Sequence, residues 1–311
     1  MKKVLFILNP ASAGGKTAAR WQSMTPKLKQ ALLSYRVLTT KKQGCAQKFA
    51  YDAAMNNCCD LIVSVGGDGT VNEIVNGLMQ AAPHVDVLPA LSIFPSGTGS
   101  DSVRTLGIPK DLDGFVRLIQ TGVPKSVDVG RVDFVLADEA KKTRYFLNAC
   151  DVGIGATVAQ AVNLMNKDQE QKSGKSKYFR SILKQAVRFK TFDAVVLADE
   201  VAHPLKKTVI VSICNGMFFG GGVKVSPLSR MNDGLLECVA TRNISKPALL
   251  DLITKVYRGS HLGHAKVAFH QGARFCVQLD VPQLLETDGE VQGAVVEATF
   301  TPIKGGLHML H

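Results

Sequence analysis

Three acids stand within five residues in Leu285-Glu286-Thr287-Asp288-Gly289-Glu290. Asp288 and Glu290 are two apart, so an extended backbone would turn both carboxylates to one face. A carboxylate held near a phosphate can take the proton of an attacking hydroxyl. An exposed acidic hairpin turn explains the same spacing equally well. Far upstream, Gly66-Gly67-Asp68-Gly69-Thr70-Val71-Asn72 suits the phosphate itself. Its glycines allow a sharp turn with no Cβ in the way, and the helix that follows points unpaired N–H groups at one spot. Asp68 adds a negative charge where an anion should bind, which makes most sense with a metal ion or water between them. Two further small-residue loops have the same character, Asn9-Pro10-Ala11-Ser12-Ala13-Gly14-Gly15-Lys16 and Pro95-Ser96-Gly97-Thr98-Gly99-Ser100-Asp101. Lys16 would add a point charge to the first. The Walker pattern is absent there, because Ala11 occupies the first glycine position, and a plain strand–helix connection explains the loop about as well.

The elements that must position these loops follow from the apolar pattern. Leu61 to Val65 reads as a buried strand, and Val71, Ile74, Val75 and Leu78 mark one face of a helix starting at Thr70. Val4 to Leu8 is a first strand, with a helix from near Thr17, a strand over Arg36 to Thr40, a helix over Cys45 to Asn57 and a strand over Ala90 to Phe94. Such alternation predicts a parallel α/β sheet, whose ligands bind beyond the carboxyl ends of the strands. All three loops sit at those ends and converge by topology alone. After Pro124 the texture becomes β-rich, as in Val127 to Val132, Thr208 to Cys214 and Phe275 to Leu279, with helices expected over Ala156 to Asn166, Tyr178 to Phe189 and Pro247 to Tyr257. We therefore expect an α/β N-terminal domain (1–124) and a β-rich, antiparallel, sandwich-like C-terminal domain (125–299). Residues from about 300 to 311 are expected to pack back on the first domain. In the second domain, Arg230-Met231-Asn232-Asp233-Gly234-Leu235 sets one carboxylate among backbone carbonyls, which an Asp-Gly turn explains without a metal.

Composition narrows the function classes. With 37 Lys and Arg against 26 Asp and Glu the chain carries +11, which favours anionic partners: nucleotides, acidic membrane surfaces or nucleic acid. Aromatics at 6% supply no recognition motif for nucleic acid, so none is expected as a partner. The basic stretch Lys167 to Lys190 is either a solvated loop or a surface for anionic head groups. Seven scattered Cys with no Cys-x-x-Cys spacing argue for reduced thiols in a cytoplasmic protein. Lys2-Lys3 and the apolar run Val4 to Leu8 imitate a secretory signal, but five apolar residues are too few. No apolar run is long enough to span a bilayer, so membrane contact would be peripheral. A Gly-x-Ser-x-Gly elbow is absent, which speaks against serine-hydrolase chemistry.

Taken in order, the motifs resemble the diacylglycerol kinase catalytic domain family, which includes sphingosine kinases and bacterial soluble lipid kinases. The residues that carry the resemblance are Asn9-Pro10, Thr40-x-x-x-Gly44-x-Ala46, Val65-Gly66-Gly67-Asp68-Gly69-Thr70-Val71-Asn72-Glu73 continuing through Asn76-Gly77-Leu78, Pro95 to Asp101, and Asp288-Gly289-Glu290. The resemblance implies two domains with ATP in the cleft between them, and transfer of its γ-phosphoryl group to a lipid hydroxyl. By the same likeness Gly66, Gly67, Asp68, Gly69, Thr70, Val71, Asn72 and Thr98 contact the nucleotide, with Thr40 nearby and Asn9, Pro10, Ala11, Ser12 and Ala13 beside the phosphates. Asp68 and Asp101 organise catalytic Mg²⁺, and Asp288 or Glu290 is the base, Asp288 slightly favoured. The turn at Arg230, Asp233 and Leu235 resembles a structural Mg²⁺ site, against the plain-turn reading above. Where many members carry glycine, this chain has Ala13. A kinase of a soluble acceptor, of the NAD kinase type, is the second reading, since such enzymes share Gly-Gly-Asp-Gly-Thr. The lipid acceptor and the oligomeric state stay open.

Overall fold

Every residue of β1 (Val4–Leu8), β3 (Leu61–Gly66) and β4 (Ala90–Pro95) is buried, which only interior strands covered on both faces achieve. The structure, a computed structural model, describes residues 2–32, 34–96, 100–167 and 188–311, without the side chains of 165–167. Thr98 lies outside the described residues. So do residues 168–187 of the basic stretch and, with them, most of the helix expected over Tyr178 to Phe189. The chain forms two compact units, residues 1–129 with 304–311, and residues 130–303.

In the first unit β2 (Tyr35–Thr39), β1, β3 and β4 lie side by side in that order, all parallel, as the alternating pattern requires. The chain end joins beyond β4, with Met309 of β14 (Glu290–Met309) parallel to Leu91 and Ser92 Oγ donating to Leu310 O at 3.0 Å. Helix α1 (Lys16–Ala31) lays Trp21 on Phe6 at 5.2 Å between ring centroids, and α5 (Leu112–Thr121) lays Phe115 on Phe94 at 5.0 Å. Phe6 and Phe94 share a face through the strand register, so both helices cover that face. Helices α2 (Cys45–Met55) and α3 (Asp68–Ala81) meet so closely that a Cβ on Gly77 would stand 2.2 Å from Gln47 O. Between them and α5, α4 (Asp101–Leu106) is a single short stretch.

The main sheet of the second unit is antiparallel, as are the hairpins over residues 192–208 and 125–146. That sheet runs β12 (Val267–Gly272), β11 (Leu236–Thr241), β10 (Ile210–Cys214), β7 (Ala149–Gly153), β13 (Phe275–Thr287), β14. The hairpin β8 (Phe192–Ala198) and β9 (Val201–Thr208) adds to β13, and β5 (Lys125–Leu136) pairs with β6 (Lys141–Phe146) and β14. Helices α6 (Ile154–Lys167) and α7 (Lys246–Arg258) are the described helices here. A core of Phe134, Phe146, Phe192, Phe275 and Phe300 with aliphatic neighbours fills the unit. Strand β13 is longer than the expected Phe275 to Leu279: past a register shift between Gln278 and Gln283 it pairs again with β14, and Leu285 to Thr287 pair with β7 as well.

Candidate active site

In the first unit, three loops at strand carboxyl ends are tied together by named side chains. Asn9 donates its N–H to Val65 O (2.9 Å) and Nδ2 to Thr70 Oγ1 (3.0 Å), while its Oδ1 accepts from Ala11 N (3.2 Å). It fastens the β1 loop to the glycine turn after β3. Gly66 must lack a Cβ there, since one would stand 2.5 Å from Thr70 Oγ1. Ser12 Oγ lies 2.6 Å from Thr17 Oγ1, which reaches Ser96 O at 3.3 Å, and Arg20 donates to Pro95 O while stacking 4.8 Å over Phe94. These contacts fasten the β1 loop to the β4 loop. Asp68 closes the set: its Oδ2 accepts from Ser100 N (2.9 Å) and its Oδ1 from Asp101 N (3.2 Å).

Asp68 is the first residue of α3, not part of the turn before it, and Gly67 is the cap. Helix formation begins two residues ahead of the apolar pattern because the turn is shorter than the glycine run suggests. The Asp68 carboxylate holds Ser100 in a left-handed conformation (φ 54°), and buried Asp101 pairs with Arg104 at 2.7 Å. Both acids therefore engage donors within the loop system. Val71 is core, and Asn72 is buried with its Oδ1 accepting from Asn76 Nδ2 at 3.2 Å. In the first α3 turn, Thr70 N and Val71 N already donate to Gly67 O, at 3.0 and 3.2 Å. In the β1 loop, Ala13, Gly14 and Gly15 all have left-handed φ (53°, 64° and 83°), and the amides of Ala13 and Gly14 carry no protein partner among the described residues. Ala13 thus adopts the glycine-like conformation despite its Cβ. Thr40 is pinned by its N–H to Leu8 O at 2.8 Å. Just beyond it, Glu73 accepts from Gly44 N (2.8 Å) and Ala46 N (3.0 Å), capping α2. No positioning role for Glu73 was legible in the sequence, although it stands inside the most distinctive motif.

In the second unit, Asp288-Gly289 is a two-residue hairpin loop between the paired residues Thr287 and Glu290, with φ of 48° and 90°. Both values are positive, as a type I′ turn demands. The two carboxylates consequently do not alternate along an extended strand, and the shared-face expectation fails at this turn. The Asp288 carboxylate accepts from Leu147 N (2.8 Å), Asn148 N (2.9 Å) and Ala149 N (3.1 Å), and its own N–H donates to Ala149 O (2.9 Å). Asp288 is a structural clamp. Glu290, half-buried, opens β14 outside that clamp. Glu286 is fully buried rather than part of an exposed acidic turn, and its Oε2 accepts from Gly289 N.

The turn at Arg230 to Leu235 folds on Asp233, whose Oδ1 accepts from Leu235 N at 3.1 Å. Its Oδ2 has no protein partner among the described residues. One carboxylate oxygen with main-chain carbonyls nearby is a hard-oxygen donor set that fits Mg²⁺. Among the described residues no cluster of three or more His, Cys, Asp or Glu side chains suits a metal, so a site here would lean on carbonyls and water.

Residues 3–132 match the diacylglycerol kinase catalytic domain, and residues 148–308 match the YegS C-terminal NAD kinase beta sandwich-like domain. The chain belongs to the diacylglycerol kinase catalytic domain family. Its α/β first unit and antiparallel second unit are the two parts of that family's plan. A diacylglycerol kinase of Bacillus subtilis (strain 168) is 25% identical over 312 residues, covering 100% of this chain and 96% of the relative. One of Staphylococcus aureus (strain MRSA252) is 26% identical over 293 residues, 94% and 87% of the two chains. A crystal structure of a candidate diacylglycerol kinase from Bacillus anthracis superposes with a TM-score of 0.76 at 26% identity, covering 99% and 96%. Yeast NADH kinase, at 12% identity, TM-score 0.50 and coverage of 99% and 82%, shares the fold alone.

Proposed function

We propose that this chain is an ATP-dependent lipid kinase, transferring the γ-phosphoryl group to a hydroxyl of a diacylglycerol, a sphingoid base or a phosphatidylglycerol-like lipid. The observation that carries the reading is the tying of three loops by Asn9, Thr17 and Asp68 in a chain of this family. Phosphoryl transfer rests chiefly on positioning and charge, which a pre-assembled set of loops supplies. The Ala13 and Gly14 amides, the start of α3 and the Lys16 ammonium would hold the phosphates. Asp68 fixes the β4 loop by its two backbone bonds, and Asp101 with Arg104 completes that loop. The acceptor oxygen attacks the γ-phosphorus, the bond to the bridging oxygen breaks and ADP leaves. Glu290 takes the acceptor proton, because the Asp288 carboxylate is already engaged by three N–H groups. Mg²⁺, held beside Asp68 and Asp101, would neutralise the phosphate oxygens when bound, and a second ion at the Asp233 turn would be structural.

The charge of +11 supports docking of a cytoplasmic protein on an anionic membrane surface, and no described helix is long and apolar enough to cross one. A second reading, phosphorylation of a soluble dinucleotide, draws on the NAD kinase-like second domain. The two are separated by supplying labelled ATP with a total lipid extract and, in parallel, with NAD. A labelled lipid that vanishes in Glu290→Gln is expected. Label on NAD and on no lipid overturns the proposal.

A further inference from the structure

Two residues before the Asp288-Gly289 turn, Glu286 is fully buried, and so is Asp151, its cross-strand partner in the antiparallel β13–β7 ladder. Paired residues in such a ladder project to the same side of the sheet. Each carboxyl keeps one backbone N–H: Asp151 Oδ1 accepts from Ala156 N (3.0 Å) in the first turn of α6, and Glu286 Oε2 accepts from Gly289 N. The remaining oxygens, Asp151 Oδ2 and Glu286 Oε1, are buried with no further protein partner among the described residues. The cross-strand pairing sets the two carboxyls side by side, each within reach of the other's charge, and a hydrogen bond between two carboxyls needs a proton. Gly155 makes room for the pair, since a Cβ there would stand 2.4 Å and 2.5 Å from the Asp151 oxygens.

Among the described residues no cation compensates them. The described titratable groups whose charge couples to the pair are Cys214 on β10, Asp288 in the turn and Cys150, the next residue of β7, which is turned to the other face. Cys214 in turn couples to Glu237 and Cys238 on β11. Burial pushes both Cys150 and Cys214 up, so their thiols stay neutral. Burial first, and the neighbouring Asp151 charge second, hold Glu286 well above the ordinary carboxylate range, while burial lifts Asp151 to about 6. Two buried carboxylates in contact without a cation cannot both ionise.

We propose that Asp151 and Glu286 are a positioning unit, a buried acid pair that shares one proton and thereby fixes the turn from which Glu290 projects. Glu286 holds the turn at the Gly289 N–H, and Asn163 of α6 holds it at the Gly289 carbonyl (3.2 Å). The pair therefore links α6, capped by Asp151, to the backbone next to Glu290. The catalytic part of this inference rests on the kinase reading; the shared proton does not.

The test compares wild type with Glu286→Gln, which keeps an acceptor for Gly289 N and a permanent donor toward Asp151, and with Asp151→Asn should the first fail to fold. Unfolding of the wild type releases the shared proton, so its unfolding constant should rise about tenfold per pH unit relative to the variant above the ordinary Glu range. Infrared spectra of the folded wild type at pH 7 should show a protonated carboxyl stretch that the variant lacks. A pH-independent ratio and no protonated band would overturn the shared proton. In lipid phosphorylation, wild-type kcat should fall at alkaline pH, where the second carboxyl ionises, with KM for ATP unchanged, and the Gln variant should lack that alkaline fall. Superimposable kcat profiles would overturn the positioning role. If no lipid is phosphorylated by any form, the kinase reading falls, while the proton measurements stand by themselves.

Discussion

Exchanging Asp288 for Asn and Glu290 for Gln, one at a time, should separate folding from chemistry at a single turn. Asn tolerates the left-handed φ of 48°, so backbone strain is not introduced. Its oxygen can replace Oδ1 and keep the bonds from Asn148 N and Ala149 N, but its NH₂ then faces Leu147 N, donor against donor. Hydrogen bonds to a charged acceptor contribute about 1.5–3 kcal/mol each and neutral ones about 1 kcal/mol. One bond lost and two weakened come to roughly 3–5 kcal/mol, and partial exposure of the turn places the expectation near the lower end, about 3 kcal/mol. With a urea m-value of about 2 kcal/mol/M, the midpoint of the second unit should fall by roughly 1.5 M. Glu290→Gln, at a half-buried position outside the clamp, should move that midpoint by no more than about 0.5 kcal/mol of stability. It should nevertheless lower kcat by about 10²–10⁴, the usual worth of a general base. The assay pairs urea unfolding followed by circular dichroism with initial rates on the active lipid. An Asp288→Asn protein with wild-type stability and no activity, beside a fully active Glu290→Gln protein, would refute the assignment of clamp and base.

Other substitutions probe the first unit and the metal turn. Ala13→Gly relieves a left-handed alanine costing about 1–2 kcal/mol against the extra entropy of glycine, so a net gain of about 0.5 kcal/mol is expected in thermal unfolding. Glu73→Ala removes the acceptor for Gly44 N and Ala46 N, with an expected loss of about 1 kcal/mol and a raised KM for ATP as the loop after Thr40 loosens. Gly66→Ala would drive a Cβ into Thr70 Oγ1 and should weaken ATP binding, read by calorimetry, more than it lowers the melting temperature. If the Asp233 turn binds Mg²⁺, millimolar Mg²⁺ should raise the melting temperature of the wild type and leave that of Asp233→Ala unchanged, with chelator reversing the shift.

What the sequence discloses and what it conceals divide along a physical line. Local patterns are legible when one short segment bears the whole cause. Five buried apolar residues make β1 wherever they occur, and a glycine run ahead of a 3.6-residue apolar period marks the turn into α3. The parallel order of the first sheet followed from that alternation, and with it the convergence of three loops. Contacts between distant segments leave no such mark. Asp68 bonding Ser100 and Asp101, Glu73 capping α2 and Asp288 gripping residues 147–149 are each settled by tertiary placement, across 32 residues for Asp68 to Ser100, 27 for Glu73 to Ala46 and 140 for Asp288 to Asn148. The motif drew attention to Asp288 because acids at active sites invite catalytic roles, yet three backbone donors make it the residue that holds the turn. Asp151 shows the limit most clearly, since nothing around Cys150-Asp151-Val152 marks an acid that must lie buried. Only the register of β7 against β13 sets it opposite Glu286, and only then do two unremarkable acids become a pair that must keep a proton. In this fold the residues proposed to touch substrate are announced by short motifs, whereas those proposed to aim them are found through strand register.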